Sequence, residues 1–89
     1  MAIKWADSAG KHGIPRDEVL YAIANAQHVV AEFGQPRVGG EPVTLFIGPS
    51  RMGTLEVLVV IRQPQELWVF HAMRLRATTA QAAMYQEGR

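Results

Sequence analysis

The chain has 89 residues and a formal net charge of +1, so the whole molecule has little long-range attraction for nucleic acid. It contains no cysteine, which excludes a disulfide scaffold and a thiolate metal site and fits a reducing cytoplasm. The longest apolar run, residues 57–61, is far shorter than the roughly 20 residues of a membrane helix. With 48% hydrophobic residues, the composition predicts one folded domain over residues 1–89, cytoplasmic and without a membrane span.

The first half of the sequence predicts a strand, a helical turn, a helix and two further strands. Residues 1–6 alternate weakly in polarity, and a brief helical turn follows that ends near Gly13. Residues 15–25 begin with proline, carry two acidic residues in the first turn and form one apolar stripe, which predicts a helix. Residues 28–33 and 43–47 are expected to be strands joined by a loop rich in glycine and proline.

The second half predicts a hairpin and a last helix. Residues 54–62 and 67–75 are rich in β-branched and aromatic residues and flank a short connector at 63–65. A capping box starting at Thr78 predicts a helix that ends near Gly88. The predicted fold is therefore α+β, with an antiparallel sheet of about four strands, N-terminal helices and a C-terminal helix.

The hairpin register predicts which side chains share a face. A three-residue loop puts Val57 opposite His71, on an apolar face that helices would cover. The other residues expected on that face are Leu55, Val59, Ile61, Leu67, Val69 and Met73. The opposite face then carries Glu56 close to Arg74, which is either a site for a phosphodiester or an ion pair on a solvated surface. A register slip of one residue would exchange the two faces.

Trp68 and Phe70 are expected on the same face as Glu56. Aromatic residues in an exposed apolar patch are typical of interaction surfaces, so we expect a protein partner to cover them. In the alternative arrangement, the C-terminal helix folds over this face and makes Trp68 part of the core.

The segment 51–76 has an excess of positive charge that is made entirely by arginine. The planar guanidinium fork suits phosphate because it can donate two parallel hydrogen bonds. These residues are either phosphate-binding groups or ordinary solubilising residues at strand ends. The arginines are Arg51, Arg62, Arg74 and Arg76.

The sequence lacks the common nucleotide-binding, serine hydrolase and metalloprotease motifs. Its histidines, His12, His28 and His71, do not have the spacing of paired metal ligands, so we expect neither a metal nor a cofactor. His71 interrupts an apolar strand and is either a core histidine with satisfied hydrogen bonds or a catalytic one.

Two short segments resemble a known family. Lys11-His12-Gly13-Ile14 before an acidic helix, and Arg74-Leu75-Arg76-Ala77-Thr78 after the last strand, resemble the BrnT toxins of type II toxin–antitoxin systems. These toxins are small RelE-like ribonucleases. Two features depart from the family: the segment between Trp5 and Lys11 is shorter than the usual spacing, and the last helix is poor in charged residues.

The resemblance implies a metal-independent endonuclease that cleaves messenger RNA. A cognate antitoxin would hold it silent, and operator DNA would be bound only through that antitoxin. Lys11 and His12 would form the electrophilic or acid–base pair, although the same residues also suit a plain helix C-terminus. The hairpin geometry adds Glu56 and His71 to the catalytic candidates.

The phosphate would be held by arginines. Arg74 and Arg76 form the clamp that the resemblance implies, Arg74 being counted among the catalytic residues as well. Arg51 is a further RNA-binding candidate. A rival interpretation is a non-catalytic interaction module of the same fold that has lost nuclease activity. A DNA-binding regulator is disfavoured, because the sequence shows no recognition helix with clustered basic residues.

Overall fold

The computed structural model describes residues 2–37, 39–62 and 64–87. The elements in chain order are β1 (Ala2–Trp5), a short 3-10 helix (Asp7–Gly10), α1 (Arg16–Ala24), β2 (His28–Val30), β3 (Thr44–Gly48), β4 (Leu55–Arg62), β5 (Glu66–Arg74) and α2 (Ala77–Glu87). Three expectations from the sequence lie outside the described residues: a strand start at Met1, a hairpin connector containing Gln63, and a helix end near Gly88.

The described strands lie in one mixed sheet with the order β1-β5-β4-β3-β2. Neighbouring strands from β2 to β5 are antiparallel, whereas β1 is parallel to β5, with Ile3 opposite Leu67. The α+β class is confirmed, but the expected antiparallel sheet of about four strands is corrected to a mixed sheet of five. Local alternation in β1 carried no information about its pairing with a strand near the other end of the chain.

Helix α1 covers one face of the sheet. Val19 and Ala22 are 1% and 0% exposed and pack against strand residues in the largest core cluster. The strand members of this cluster are Leu55, Val57, Val59, Leu67, Val69 and Ala72. Gly48 permits the close approach of the helix, because a Cβ atom there would collide with the carbonyl oxygen of Ala22. The apolar face expected from the hairpin is thus confirmed for most of its residues.

Helix α2 lies on the opposite face. Ala83 is 3% exposed and packs with Val30, Leu45 and Ile47. The helix begins at Ala77, one residue before the expected start. The two helices therefore cover opposite faces of the sheet, and α2 lies on the Glu56 face, as in the alternative arrangement that the sequence left open.

A β-bulge changes the hairpin register halfway along β5. Close to the turn the pairing is the predicted one, with Val59 opposite Val69. Phe70 is then an extra residue without a partner, and Leu58 instead of the neighbouring valine pairs with His71. An extra residue of this kind turns the following side chains to the other face of the sheet.

The bulge corrects the expected neighbours of Glu56. His71 and Met73 lie on the face of Glu56 instead of on the apolar face that α1 covers. Arg74 pairs with Leu55 and lies on the α1 face, so it is not the partner of Glu56 that the unbroken register predicted. The shifted register therefore determines which basic residues contact the Glu56 carboxylate.

Candidate active site

Glu56 is a completely buried carboxylate near the start of β4, at 0% exposure. Its Oε1 accepts the backbone N–H of Arg76 at 2.9 Å, and its Oε2 accepts Nη2 of the same arginine at 2.8 Å. Nε2 of His71 lies 2.9 Å from Oε2. Burial alone raises the pKa of Glu56, but hydrogen bonds from Arg76, His71 and Thr79 outweigh burial and hold the pKa below its ordinary value. The carboxylate is therefore charged at neutral pH.

Arg76 immediately precedes α2, so the Glu56 carboxylate lies at the N-terminal end of that helix. The helix dipole favours a negative charge at this position. The hydrogen bond that Arg76 donates to Glu56 raises the pKa of Arg76 above its ordinary value. The arginine side chain is 51% exposed, and within the described part of the chain its Nη1 makes no hydrogen bond. Arg76 therefore keeps donors for a ligand while its other donors are held by Glu56.

His71 meets a second histidine at the edge of the sheet. Its side chain is 19% exposed, and the ring centroid lies 5.7 Å from that of His12 with an interplanar angle of 77°. His12 follows the 3-10 helix, which is fastened to the bulge because the Ser8 hydroxyl donates to the carbonyl oxygen of Phe70 at 2.6 Å. The bulge thus re-aims His71 and anchors the segment that carries His12.

The structure brings together three of the five residues expected to be catalytic, His12, Glu56 and His71. Lys11 precedes His12 and is exposed at the same corner. Arg74 is exposed on the α1 face, and no carboxylate of the described residues forms an ion pair with it. We call the cluster of His12, Glu56, His71 and Arg76 the catalytic corner.

Arg51, expected to bind RNA, lies in the turn between β3 and β4. Its backbone N–H and its Nε each donate to Glu18 of α1 at 2.8 Å. Asp17 adds a longer ion pair at 3.7 Å. Of the three arginines predicted to bind phosphate, Arg76 is the one that joins the catalytic corner.

The aromatic pair expected to be an exposed surface is covered by Arg37. The rings of Trp68 and Phe70 are stacked with centroids 5.3 Å apart, and the guanidinium carbon of Arg37 lies 4.8 and 4.2 Å from their centroids. Phe70 is only 9% exposed, whereas Trp68 is half-buried. The aromatic cluster is also separate from the one that α2 covers. Burial by a protein partner stays a prediction.

Sequence reasoning missed two residues, Thr79 and Arg37. Thr79 is 7% exposed and contributes a hydrogen bond to Glu56, but threonine is common in the first turn of any helix and gave no separate signal. Arg37 lies in a loop whose path could not be derived from local pattern. The apolar neighbours of Glu56 in β4 were the available sign that its carboxylate is buried.

The described residues contain no group of three or more histidine, aspartate or glutamate side chains that could hold a metal ion. In the same part of the chain, no helix is long and apolar enough to cross a bilayer.

No protein-family model, curated protein or solved structure matches this chain. The resemblance to BrnT toxins therefore depends on the two short sequence segments.

Proposed function

We propose that this chain is a metal-independent endoribonuclease that cleaves messenger RNA, with the RelE-like architecture that its resemblance to BrnT toxins implies. The observation that carries the proposal is the buried Glu56 carboxylate, which holds His71 and Arg76 while His12 lies against His71. This arrangement supplies proton transfer and positive charge at one corner. Cleavage by the substrate's own 2′-hydroxyl needs both.

His71 acts as the general base in this proposal. An ionised carboxylate is an acceptor only, so Nε2 of His71 carries the proton that it shares with Glu56, and Nδ1 of the neutral ring is the acceptor. Nδ1 takes the proton of the 2′-hydroxyl as the 2′-oxygen bonds to phosphorus. Glu56 stabilises the resulting imidazolium and fixes the ring. Because Glu56 is buried, it acts as a positioning residue and does not touch RNA.

The bond from phosphorus to the 5′-oxygen then breaks, and the leaving 5′-oxygen takes a proton from His12 or Lys11. The products are a 2′,3′-cyclic phosphate and a 5′-hydroxyl. The Nη1 donors of Arg76 stabilise the negative charge on the non-bridging oxygens. Arg74, on the α1 face, does not contact the reacting phosphate in this proposal, and Arg51 is ion-paired with Glu18 and Asp17.

The proposal includes the partners of the family that the sequence resembles. A cognate antitoxin would hold the nuclease silent in the cytoplasm, where its messenger RNA substrate is, and would alone contact operator DNA. Trp68 remains a candidate for the antitoxin surface, because it is half-buried and lies on the same face as the catalytic corner.

A second candidate is a non-catalytic interaction module of the same fold. One observation favours it: the same hydrogen bonds of Glu56 also fasten β4, β5 and the start of α2 together. Hydrogen bonds that only stabilise the fold would have the same geometry. His12, which lies against His71, is the residue that this structural role does not require.

The test uses the purified chain and a single-stranded RNA, in EDTA without ribosomes and in magnesium buffer with ribosomes. We expect cleavage to a 2′,3′-cyclic phosphate, no cleavage of the same oligonucleotide carrying 2′-deoxy sugars, and loss of activity in His71→Ala. Intact RNA under every condition, with a folded parent chain, would leave the interaction module.

A further inference from the structure

Arg37 lies with its guanidinium over two aromatic rings and has no part in the proposed mechanism. Its guanidinium lies over both Trp68 and Phe70, which themselves stack on each other. Its backbone is fixed by a turn, since the N–H of Arg37 donates to the carbonyl oxygen of Glu41 at 2.9 Å. Both contacts order the guanidinium plane before any ligand binds.

Among the described residues, Arg37 has no ion-pair partner, unlike the other arginine at this ring. Arg62 lies 4.9 Å from the centroid of Trp68, but its Nε and Nη2 donate to Glu41 at 2.8 and 3.0 Å. Within the described residues no carboxylate lies at ion-pair distance from Arg37, and Glu41 acts on it only from further away. Arg37 is exposed, so its donors and its outer face are accessible.

A groove of about 470 Å³ runs beside this guanidinium. Residues 33–37 form one wall, and Val43, Leu58 and Phe70 complete the lining. The volume lies within the range of small-ligand sites. Phe70 directly precedes His71 in β5, so the groove adjoins the catalytic corner.

We propose that Arg37 and this groove form a subsite for one unpaired nucleobase of the RNA and its phosphate, next to the bond that is cleaved. The inference rests on the proposed function for the identity of the substrate. Proteins that bind single-stranded RNA stack its bases on aromatic rings and on arginine planes. The base stacks on the outer face of the guanidinium, and the edge donors reach the neighbouring phosphate.

The charge of the site favours RNA over a protein partner. The exposed group is a cation that has no described carboxylate at ion-pair distance, whereas the ring beneath it, Phe70, is buried. A protein interface centred here would have to desolvate that cation, while a polyanion neutralises it.

The test measures binding of a labelled single-stranded oligodeoxynucleotide, which lacks the 2′-hydroxyl and is not cleaved. We expect Arg37→Ala to weaken binding roughly tenfold, the effect of losing one base stack. Arg37→Lys keeps the charge without the plane and should weaken binding to a similar degree. The matched control is Arg16→Ala, which removes an arginine 5.0 Å from the Trp5 ring and should leave affinity unchanged.

Fluorescence locates the bound oligonucleotide. The chain has two tryptophans, so a Trp5→Phe variant isolates Trp68, whose emission should change on binding. Parental affinity in folded Arg37→Ala or Arg37→Lys would overturn the subsite. Unchanged Trp68 emission at a saturating concentration of the oligonucleotide would also overturn the subsite. This face would then be left to a protein partner.

Failure of the subsite is distinguishable from failure of the nuclease. A chain that cleaves RNA while its Arg37 variants bind normally keeps the proposed function and loses the subsite. A chain that cleaves no RNA but binds the oligonucleotide through Arg37 keeps the subsite and loses the nuclease.

Discussion

Two buried glutamates on opposite faces of the sheet each accept hydrogen bonds from the backbone and the side chain of one arginine. Glu18 is 7% exposed and accepts the backbone N–H and the Nε of Arg51, both at 2.8 Å. Glu56 is 0% exposed and accepts the backbone N–H and the Nη2 of Arg76 at 2.9 and 2.8 Å. Each pair fastens the segment that follows, a turn in the first case and a helix in the second.

The difference between the two pairs is a titratable ring. Glu56 also holds His71, which lies against His12, whereas Glu18 has no histidine among its described partners. Both carboxylate–arginine contacts therefore fasten parts of the fold, and at Glu56 there is in addition a pair of histidines, to which the proposed mechanism assigns proton transfer. Burial and ion pairing are thus weak signs of function in this molecule, and the pair of histidines is the stronger one.

The largest expected effect comes from the residue that separates the two pairs. His71→Ala should lower the rate of RNA cleavage by roughly two to four orders of magnitude, the usual contribution of a general base. Initial rates on a defined RNA measure the loss. The control is His28→Ala, which removes a histidine from β2 at the far edge of the sheet and should leave the rate unchanged. Equal rates in His71→Ala and the parent would make the histidine a structural residue.

The next effect compares the arginine at Glu56 with its neighbour on the other face. Arg76→Ala should lower cleavage by roughly two to three orders of magnitude, by analogy with the loss of one donor to a developing anion. Arg74→Ala removes the same charge on the α1 face and should change the rate only a few-fold. Arg76→Lys controls for unfolding because it retains a cation at this position. A larger loss of cleavage in Arg74→Ala than in Arg76→Ala would contradict the assignment of Arg76 as the arginine that binds the phosphate.

This pair of arginines shows how far the sequence could be interpreted. The hairpin, the last helix and the α1 face follow from local patterns, and the register near the turn is correct at Val59 and Val69. The pattern does not reveal the extra residue Phe70, because a bulge is fixed by contacts with the 3-10 helix that come from a distant part of the chain. Because of this extra residue, Arg74 pairs with Leu55, and the arginine beside Glu56 is Arg76.

The parts of the site were predictable as residue types and not as contacts. His12, Glu56 and His71 were all candidates, but His12 came from the family resemblance, and the predicted hairpin register placed Glu56 and His71 on opposite faces of the sheet. Only the pairing of β1 with β5, and the anchoring of the 3-10 helix that follows, brings His12 to His71. Long-range pairing of this kind leaves no local trace in a four-residue strand.

A smaller effect tests whether the two glutamates differ in function while resembling each other in stability. Glu56→Gln and Glu18→Gln should each lower the free energy of unfolding by about 1–3 kcal/mol, because each weakens charge-assisted hydrogen bonds of a buried carboxylate. Urea denaturation measures both values. Cleavage should fall in Glu56→Gln, since His71 loses its carboxylate, and should be unchanged in Glu18→Gln. Unchanged cleavage in both variants would make Glu56 a structural tie like Glu18.

The last effect is the acid dependence of stability that Glu56 contributes. Its pKa in the folded chain lies below the ordinary value of 4.5, because its hydrogen bonds outweigh the effect of burial. A carboxylate with a lowered pKa stabilises the fold at pH values above 4.5, and this contribution is lost as the pH falls through the folded pKa. The free energy of unfolding should therefore be higher for the parent than for Glu56→Gln at pH 7, and this difference should disappear in acid. Urea denaturation at several pH values measures it.

The surface carboxylate Glu41 provides the control for this acid effect. The hydrogen bond from Arg62 lowers the pKa of Glu41 too, but the side chains of this pair are 36% and 40% exposed, so solvent screens the interaction. At neutral pH, Glu41→Gln should therefore lower the free energy of unfolding less than Glu56→Gln does. If the effect of Glu56→Gln were the same at every pH, the buried carboxylate would not be the charged partner of His71 and Arg76. The assignment of His71 Nδ1 as the base, which depends on that charge, would then fail with it.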